Sequence, residues 1–261
     1  MLQIYGTMAR ILLPPFFLLL ATLASAQDFT PPEPLGGKDA VNWFLEQEQH
    51  FPPEALATGL NGEVGISFKI LEDGSVQNAR VSLPLDPACD AEALRLARML
   101  RWRPASANGT VFEKDHSIMI PFNAKKYTKL QSKKKACPPL ESTLPQDASN
   151  KLYTDRETDT LATPRIEGGL RQLPNYLGQN LKYPPEAFRL DIQGKVTIEF
   201  TVETTGSVSN LRTLNFLGGG CDAEAMRLVR MLCWQPAVKD GQLVRSVMKL
   251  DIMFRLDPSR R

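Results

Sequence analysis

Most of the 261-residue chain is written twice, and this repeat limits the fold more than any other property of the sequence. Phe51-Pro-Pro-Glu-Ala returns as Tyr183-Pro-Pro-Glu-Ala, and Gly74-Ser-Val returns as Gly206-Ser-Val. Cys89-Asp-Ala-Glu-Ala returns as Cys221-Asp-Ala-Glu-Ala, and Trp102-x-Pro-Ala as Trp234-x-Pro-Ala. Every landmark is displaced by 132 residues, so no insertion separates the copies. Gly36-Gly37 and Phe44-Leu45 recur at the same offset, as Gly168-Gly169 and Tyr176-Leu177, which extends each unit upstream. An ungapped repeat of this kind is one folded unit present twice.

Within a unit the hydrophobic period changes in a fixed order. Pro53 to Leu60 and Pro185 to Ile192 read as short helices with proline in the first turn, where its missing N–H costs little. Val64, Ile66, Phe68 and Ile70 then alternate with polar or small residues, as do Val196, Ile198, Phe200 and Val202, which predicts strands with one apolar face. Asp73-Gly74 and Thr205-Gly206 are turn signals, and a second strand follows each to close a hairpin. A second helix comes next, with Asp90 or Asp222 expected at its N-cap. Arg95 with Arg98, and Arg227 with Arg230, are expected on its solvated face. Trp102 and Trp234 end this helix as candidate core anchors, and a last strand runs to Phe122 or Phe254. The fold class is therefore α+β: two tandem small domains, each a three-stranded antiparallel sheet packed by two helices, in the order helix-strand-strand-helix-strand. Connection rules dock the last strand beside the first, giving the order second, first, third and leaving the last strand at an edge. Pro121 fits such an edge.

Arg10, an apolar run over residues 11–23 and Ala24-Ser25-Ala26 match a cleaved secretory signal peptide over residues 1–26. A retained anchor is the alternative, although the run is shorter than the roughly 20 residues a spanning helix needs. Domain 1 is expected over residues 30–124 and domain 2 over 163–257. Residues 125–162 lack sustained periodicity and read as a flexible, mostly solvated linker. Its basic cluster, Lys125, Lys126, Lys129, Lys133, Lys134 and Lys135, offers peripheral contact with an anionic membrane. Export permits disulfides, and Cys89, Cys137, Cys221 and Cys233 allow three pairings. A helix between Cys221 and Cys233 would hold them about 18 Å apart, beyond disulfide reach. Cys89 and Cys221, being repeat equivalents, read as small buried residues.

Catalysis finds no support. The 31 basic and 29 acidic residues nearly balance, so no global field points to nucleic acid. The two histidines, His50 and His116, face Lys182 and Met248 in the other copy, so they are not a shared mechanism. No nucleophile elbow, zinc motif or phosphate loop occurs, and neither a cofactor nor a catalytic or metal site is expected. An exposed strand edge does offer chemistry: its unpaired N–H and C=O groups accept an extended peptide as a further strand.

The order and spacing of Tyr183-Pro-Pro-Glu-Ala, Gly194-x-Val196, Thr205-Gly206-Ser207-Val208, Cys221-Asp-Ala-Glu-Ala, Trp234-x-Pro236-Ala237 and Gly241 resemble the TonB C-terminal domain. The first unit carries the same marks. The resemblance implies a periplasmic protein-binding module of a Gram-negative envelope. Its expected partners are TonB-dependent outer-membrane receptors or other envelope proteins, gripped by strand addition in TonB-dependent transport. By position, the gripping strand is Val247, Met248, Lys249, Leu250, Asp251, Ile252, Met253 and Phe254. The first unit supplies His116, Ser117, Ile118, Met119 and Ile120, while Asn180, Lys182 and Tyr183 are additional candidate contacts. Two further readings stay open: a membrane-anchored energy transducer, and a structural module that forms homodimers through its edge strands.

Overall fold

The structure is a computed structural model that describes residues 28–133, 137 and 140–256. The signal peptide expected over residues 1–26 lies outside the described residues, as do Lys134, Lys135 and the end of the chain from residue 257.

The first unit runs α1 (Gly37–Glu48), α2 (Pro53–Ala57), β1 (Asn61–Ile70), β2 (Val76–Leu83), α3 (Pro87–Met99) and β3 (Lys114–Asn123). Helix α4 (Ala124–Lys133) follows directly, and the two-residue strand β4 (Leu152–Tyr153) lies in the connecting segment. The second unit runs α5 (Gly169–Asn180), α6 (Pro185–Arg189), β5 (Gly194–Val202), β6 (Val208–Thr213), α7 (Cys221–Arg230) and β7 (Gln242–Phe254). The fold is α+β, with the hairpin, helix and last strand where the periodicity places them. Each unit has an antiparallel ladder with the first strand central, β2-β1-β3 in one and β6-β5-β7 in the other. The second sheet is extended to five strands by Ala237–Lys239, antiparallel to Gln242–Val244, and by β4. Each unit also opens with a longer helix, α1 or α5, that the hydropathy pattern did not single out.

Alternation along the strands builds the cores. Val64, Ile66, Phe68 and Ile70 point inward against Ala93, Leu96, Trp102, Ile120 and Phe122. Their counterparts Val196, Ile198, Phe200 and Val202 meet Ala225, Leu228, Trp234, Ile252 and Phe254. Each large aliphatic side chain buried in this way contributes about 1.5–3 kcal/mol. The turn glycines have a steric reason: Gly74 and Gly206 have positive φ, and a Cβ there would lie 2.0 and 2.3 Å from the carbonyl oxygens of Trp102 and Trp234. The tryptophan N–H groups donate back to these glycine carbonyls, which fixes each hairpin turn against the end of its helix.

Three expectations are corrected. Asp90 and Asp222 are not N-caps: Asp86 caps α3, and Gly220 occupies the cap of α7. The two aspartates sit in the first turn and accept from Leu85 N–H and from Leu217 and Gly218 N–H, tying down the preceding loops. The arginines are not simply solvated. Arg95 clasps Glu92 and the carbonyl of Glu48, and Arg227 clasps Glu224 and the carbonyl of Asn180. His50 and Lys182 N–H groups complete the clasps on the same two glutamates. Arg230 lies over the Trp43 ring, 5.2 Å from its centroid, and Arg98 alone of the four is exposed.

The third correction concerns residues 125–162, expected as a flexible solvated linker. They carry α4 and then pair with the second unit. Leu243 N–H donates to Pro145 O, and Leu243 O accepts from Asp147 N–H. Strand β4 joins β7 in parallel, with Leu152 opposite Arg245 and Tyr153 opposite Ser246. Thr160 exchanges backbone bonds with Val238, and Thr163–Pro164 pairs with Trp234–Gln235. A disulfide joins Cys137 to Cys233, while Cys89 and Cys221 are buried free thiols. Backbone groups in this segment find ladder partners despite its polar sequence.

The two units touch through different faces. Helix α1 of the first packs on β6 of the second. Gly36 meets Leu211 so closely that a Cβ would lie 2.0 Å from its carbonyl oxygen. A polar cluster fills the junction. Asn210 accepts from Arg101 N–H at 2.9 Å and donates to Met99 O at 3.2 Å. Arg245 pairs with Glu203, both almost wholly buried, and donates to Met99 O at 2.8 Å. Glu48 from α1 accepts from Thr205 and Ser207 hydroxyls.

Candidate interaction site

Strand β7 has β5 on one side and the connecting segment on the other. The Leu243 backbone, both of whose groups bond to Pro145 and Asp147, identifies the outward side. Antiparallel ladders alternate direction residue by residue. Val247, Lys249, Asp251 and Met253 therefore present their backbone N–H and C=O outward, whereas Met248, Leu250 and Ile252 direct theirs to β5. The parallel pair of Ser246 with Tyr153 takes the outward Val247 N–H to Tyr153 O, and beyond Val247 no strand among the described residues pairs with that side.

The same parity applied to β3 turns Asp115, Ser117, Met119 and Pro121 outward. Strand β3 pairs only with β1 among the described residues, from Lys114 to Asn123. The far end of this edge is closed by chemistry: Pro121 has no N–H, and its carbonyl accepts from the Gln49 side chain at 2.9 Å. The open part spans Asp115 to Met119, one residue upstream of the expected stretch.

Side chains on both edges split by face. His116, Ile118 and Ile120 turn toward the core, and His116 stacks edge-on against Trp102 at 4.8 Å. Burial and then nearby Lys114 hold its pKa below the ordinary histidine value, so the ring serves packing as a neutral group. Ser117 and Met119 face out. In the second unit Ile252 and Phe254 are buried, Val247, Met248 and Leu250 half-buried, and Lys249, Asp251 and Met253 exposed. Asp251 bonds Thr197 and Lys195 across the sheet, and those two contacts hold its carboxyl below the usual range. Met119 and Met253 are 43% and 46% exposed, an adaptable apolar group on each edge.

The additional candidates lie at the far end of β7. Tyr183 packs edge-on against Phe254 at 5.9 Å, and its hydroxyl donates to Ile192 O. Lys182 N–H and Asn180 O are already bound in the Glu224–Arg227 clasp, so their backbone is not free for a partner. Instead Leu181 and Gly178 line a groove beside Met253. At the opposite end a cleft of about 600 Å³ opens beside Val247–Lys249, bounded by Thr154, Asp155, Arg101 and Trp102. Arg101 and Asp155 were missed by sequence reasoning, because the packing of the two units brings the first to the strand and the pairing of β4 with β7 brings the second. Of the basic cluster, Lys125, Lys126 and Lys129 lie on α4, where Lys126 pairs with Glu46 at 3.5 Å.

Residues 47–124 and 179–256 each match the family described as Gram-negative bacterial TonB protein C-terminal. The two matches cover the sheets, α3, α7 and both last strands. No functionally curated protein matches the chain. TonB C-terminal domains are protein-interaction domains, which agrees with edges that offer backbone groups rather than a reactive cluster. With two matches that together span more than half of its length, the chain belongs to the TonB C-terminal domain family and carries that domain twice.

Proposed function

We propose that the chain is a periplasmic protein-binding module that accepts extended segments of TonB-dependent outer-membrane receptors, or of other envelope proteins, as added strands. The supporting observation is the row of outward backbone groups on Asp115, Ser117 and Met119 and on Lys249, Asp251 and Met253. Ladder bonds to these groups supply affinity, and alternating side chains such as Met119 and Met253 tune selection. Residues 1–26 act as the export signal on this reading, and the domain limits 30–124 and 163–257 follow the repeat. The buried contacts between the units set the two edges at a fixed relation, so one partner engages them jointly only if its segments are spaced to match.

Proline is the selective test, because it removes an outward N–H while an edge strand tolerates it; Pro121 already shows this in β3. Met119→Pro and Lys249→Pro, singly and together, are titrated with a synthetic N-terminal peptide of a TonB-dependent receptor. Weakened binding with an unchanged far-ultraviolet spectrum is the expected result. Equal affinity of the double variant and the native chain sinks the proposal. Light scattering on the same samples reads whether copies pair through these edges instead.

A further inference from the structure

The edge of the second unit is partly filled by the chain itself. Pro145 and Asp147 take both backbone groups of Leu243, and Leu152–Tyr153 extends the pairing to Arg245 and Ser246. Side chains fasten the same stretch: Gln146 accepts from the Thr204 hydroxyl, the carbonyl of Asn150 accepts from Arg245, and Tyr153 packs against the core of the second unit. After Tyr153 the chain leaves the edge in a turn closed by Glu157, which accepts from Thr154 N–H and hydroxyl. The open outward groups, from Lys249 onward, begin where this strand stops.

A pairing this short does not persist without tethers, since a free segment of a few residues loses more conformational entropy than so few ladder bonds return. Both tethers are present. On one side Cys137 is bonded to Cys233, next to Trp234 at the end of α7. On the other, Asp159 accepts from Lys239 and Asp240, and Pro164 pairs with Trp234. Tethering at both ends gives residues 145–153 a high effective concentration at the edge.

We propose that residues 145–153 are a built-in strand ligand of the second unit, stapled in place by the Cys137–Cys233 disulfide. A partner strand then meets a β7 edge shortened at its Gln242–Ser246 end. The blocking role rests on the strand-acceptor reading above, whereas the self-strand stands on its own geometry. Arg245 links it to the junction between the units, because its guanidinium holds Asn150 O and Met99 O together.

Single-residue amide hydrogen exchange on the full chain tests the strand. Leu243 and Asp147 should be protected in the native chain while Lys249 exchanges freely. The triple variant Cys137→Ser, Cys233→Ser, Leu152→Pro should lose protection at Leu243 and keep it in β5. Exchange at native Leu243 as fast as at Lys249, or unchanged in the variant, overturns the inference. A second arm adds a fluorescent synthetic peptide with the sequence of residues 143–156. It should bind the variant about a hundredfold more tightly than the native chain. Equal binding to both overturns the blocking role. Lost protection without peptide binding supports the self-strand and overturns the acceptor reading instead.

Discussion

Arg245 in the last strand of the second unit donates to the carbonyl oxygen of Met99, the final residue of helix α3 in the first, at 2.8 Å. The same guanidinium pairs with Glu203 on its own unit. One buried charge thus joins the Asn210 amide in satisfying a helix-end carbonyl across the junction.

Removing that guanidinium should be expensive. Arg245→Ala leaves Glu203 buried without its counter-charge, a loss of about 3–5 kcal/mol. The paired replacement Arg245→Met with Glu203→Leu should cost far less, because neither charge is then stranded. Urea melts of the two variants check the difference. Similar losses for both would mean that the ion pair is not the source.

Glu48 makes the junction pH-dependent. Burial, and after it the neighbouring Glu203 carboxylate, raises its pKa above the ordinary carboxylate value, against the opposing effects of Ser207, Arg95 and Thr205. A folded pKa above the unfolded one favours the protonated form. Its stabilisation is complete below the unfolded pKa and is lost as pH rises through the folded value. Glu48→Gln, which keeps an acceptor for both hydroxyls, should therefore gain stability at neutral pH relative to the native chain. It should show little difference in acid. Denaturation series across pH 4 to 8 (about the range of the transition) measure the crossing.

Glu224 has the opposite sign. Burial raises its pKa, but the Arg227 side chain and Lys182 N–H outweigh burial and leave it below the ordinary value. That stabilisation is present at neutral pH and is lost as pH falls through the folded value. Glu224→Gln should cost about 1–3 kcal/mol at neutral pH and flatten the acid limb of the stability curve. An unchanged acid limb would show that the clasp contributes nothing.

Two asparagines form an internal control. Asn78 and Asn210 are repeat equivalents with φ of 55° and 50°, but Asn78 is exposed while Asn210 is buried against Met99 and Arg101. Asn78→Ala pays only for the left-handed backbone, about 1–2 kcal/mol. Asn210→Ala adds the loss of bonds to two buried backbone groups, a further ~1–3 kcal/mol. Thermal melts of both variants test this order. Equal losses would show that the junction bonds of Asn210 are not stabilising.

How much was legible follows from the range of each interaction. Val64 to Ile70 and Val196 to Val202 announce themselves by alternation, and Trp102 and Trp234 by their place after a helix, because burial of a local face leaves a local period. Helices α1 and α5 were missed as elements. Polar residues crowd both, and Pro174 lies inside α5. Differences between the copies held a further signal: Glu203 and Arg245 stand where the first unit has Leu71 and Glu113, and these departures mark the buried junction.

The duplication, the α+β unit, the family and the last strand as an edge were determined by the sequence alone, since they depend on residues a few positions apart or on direct comparison of the copies. Tertiary structure alone decided which edge groups face outward, that Cys137 pairs with Cys233, and that residues 145–153 occupy the edge of the second unit. Those outcomes depend on backbone and side-chain groups brought together from far along the chain, 96 residues for Cys137 and Cys233 and 146 for Arg245 and Met99, and no local pattern encodes such meetings.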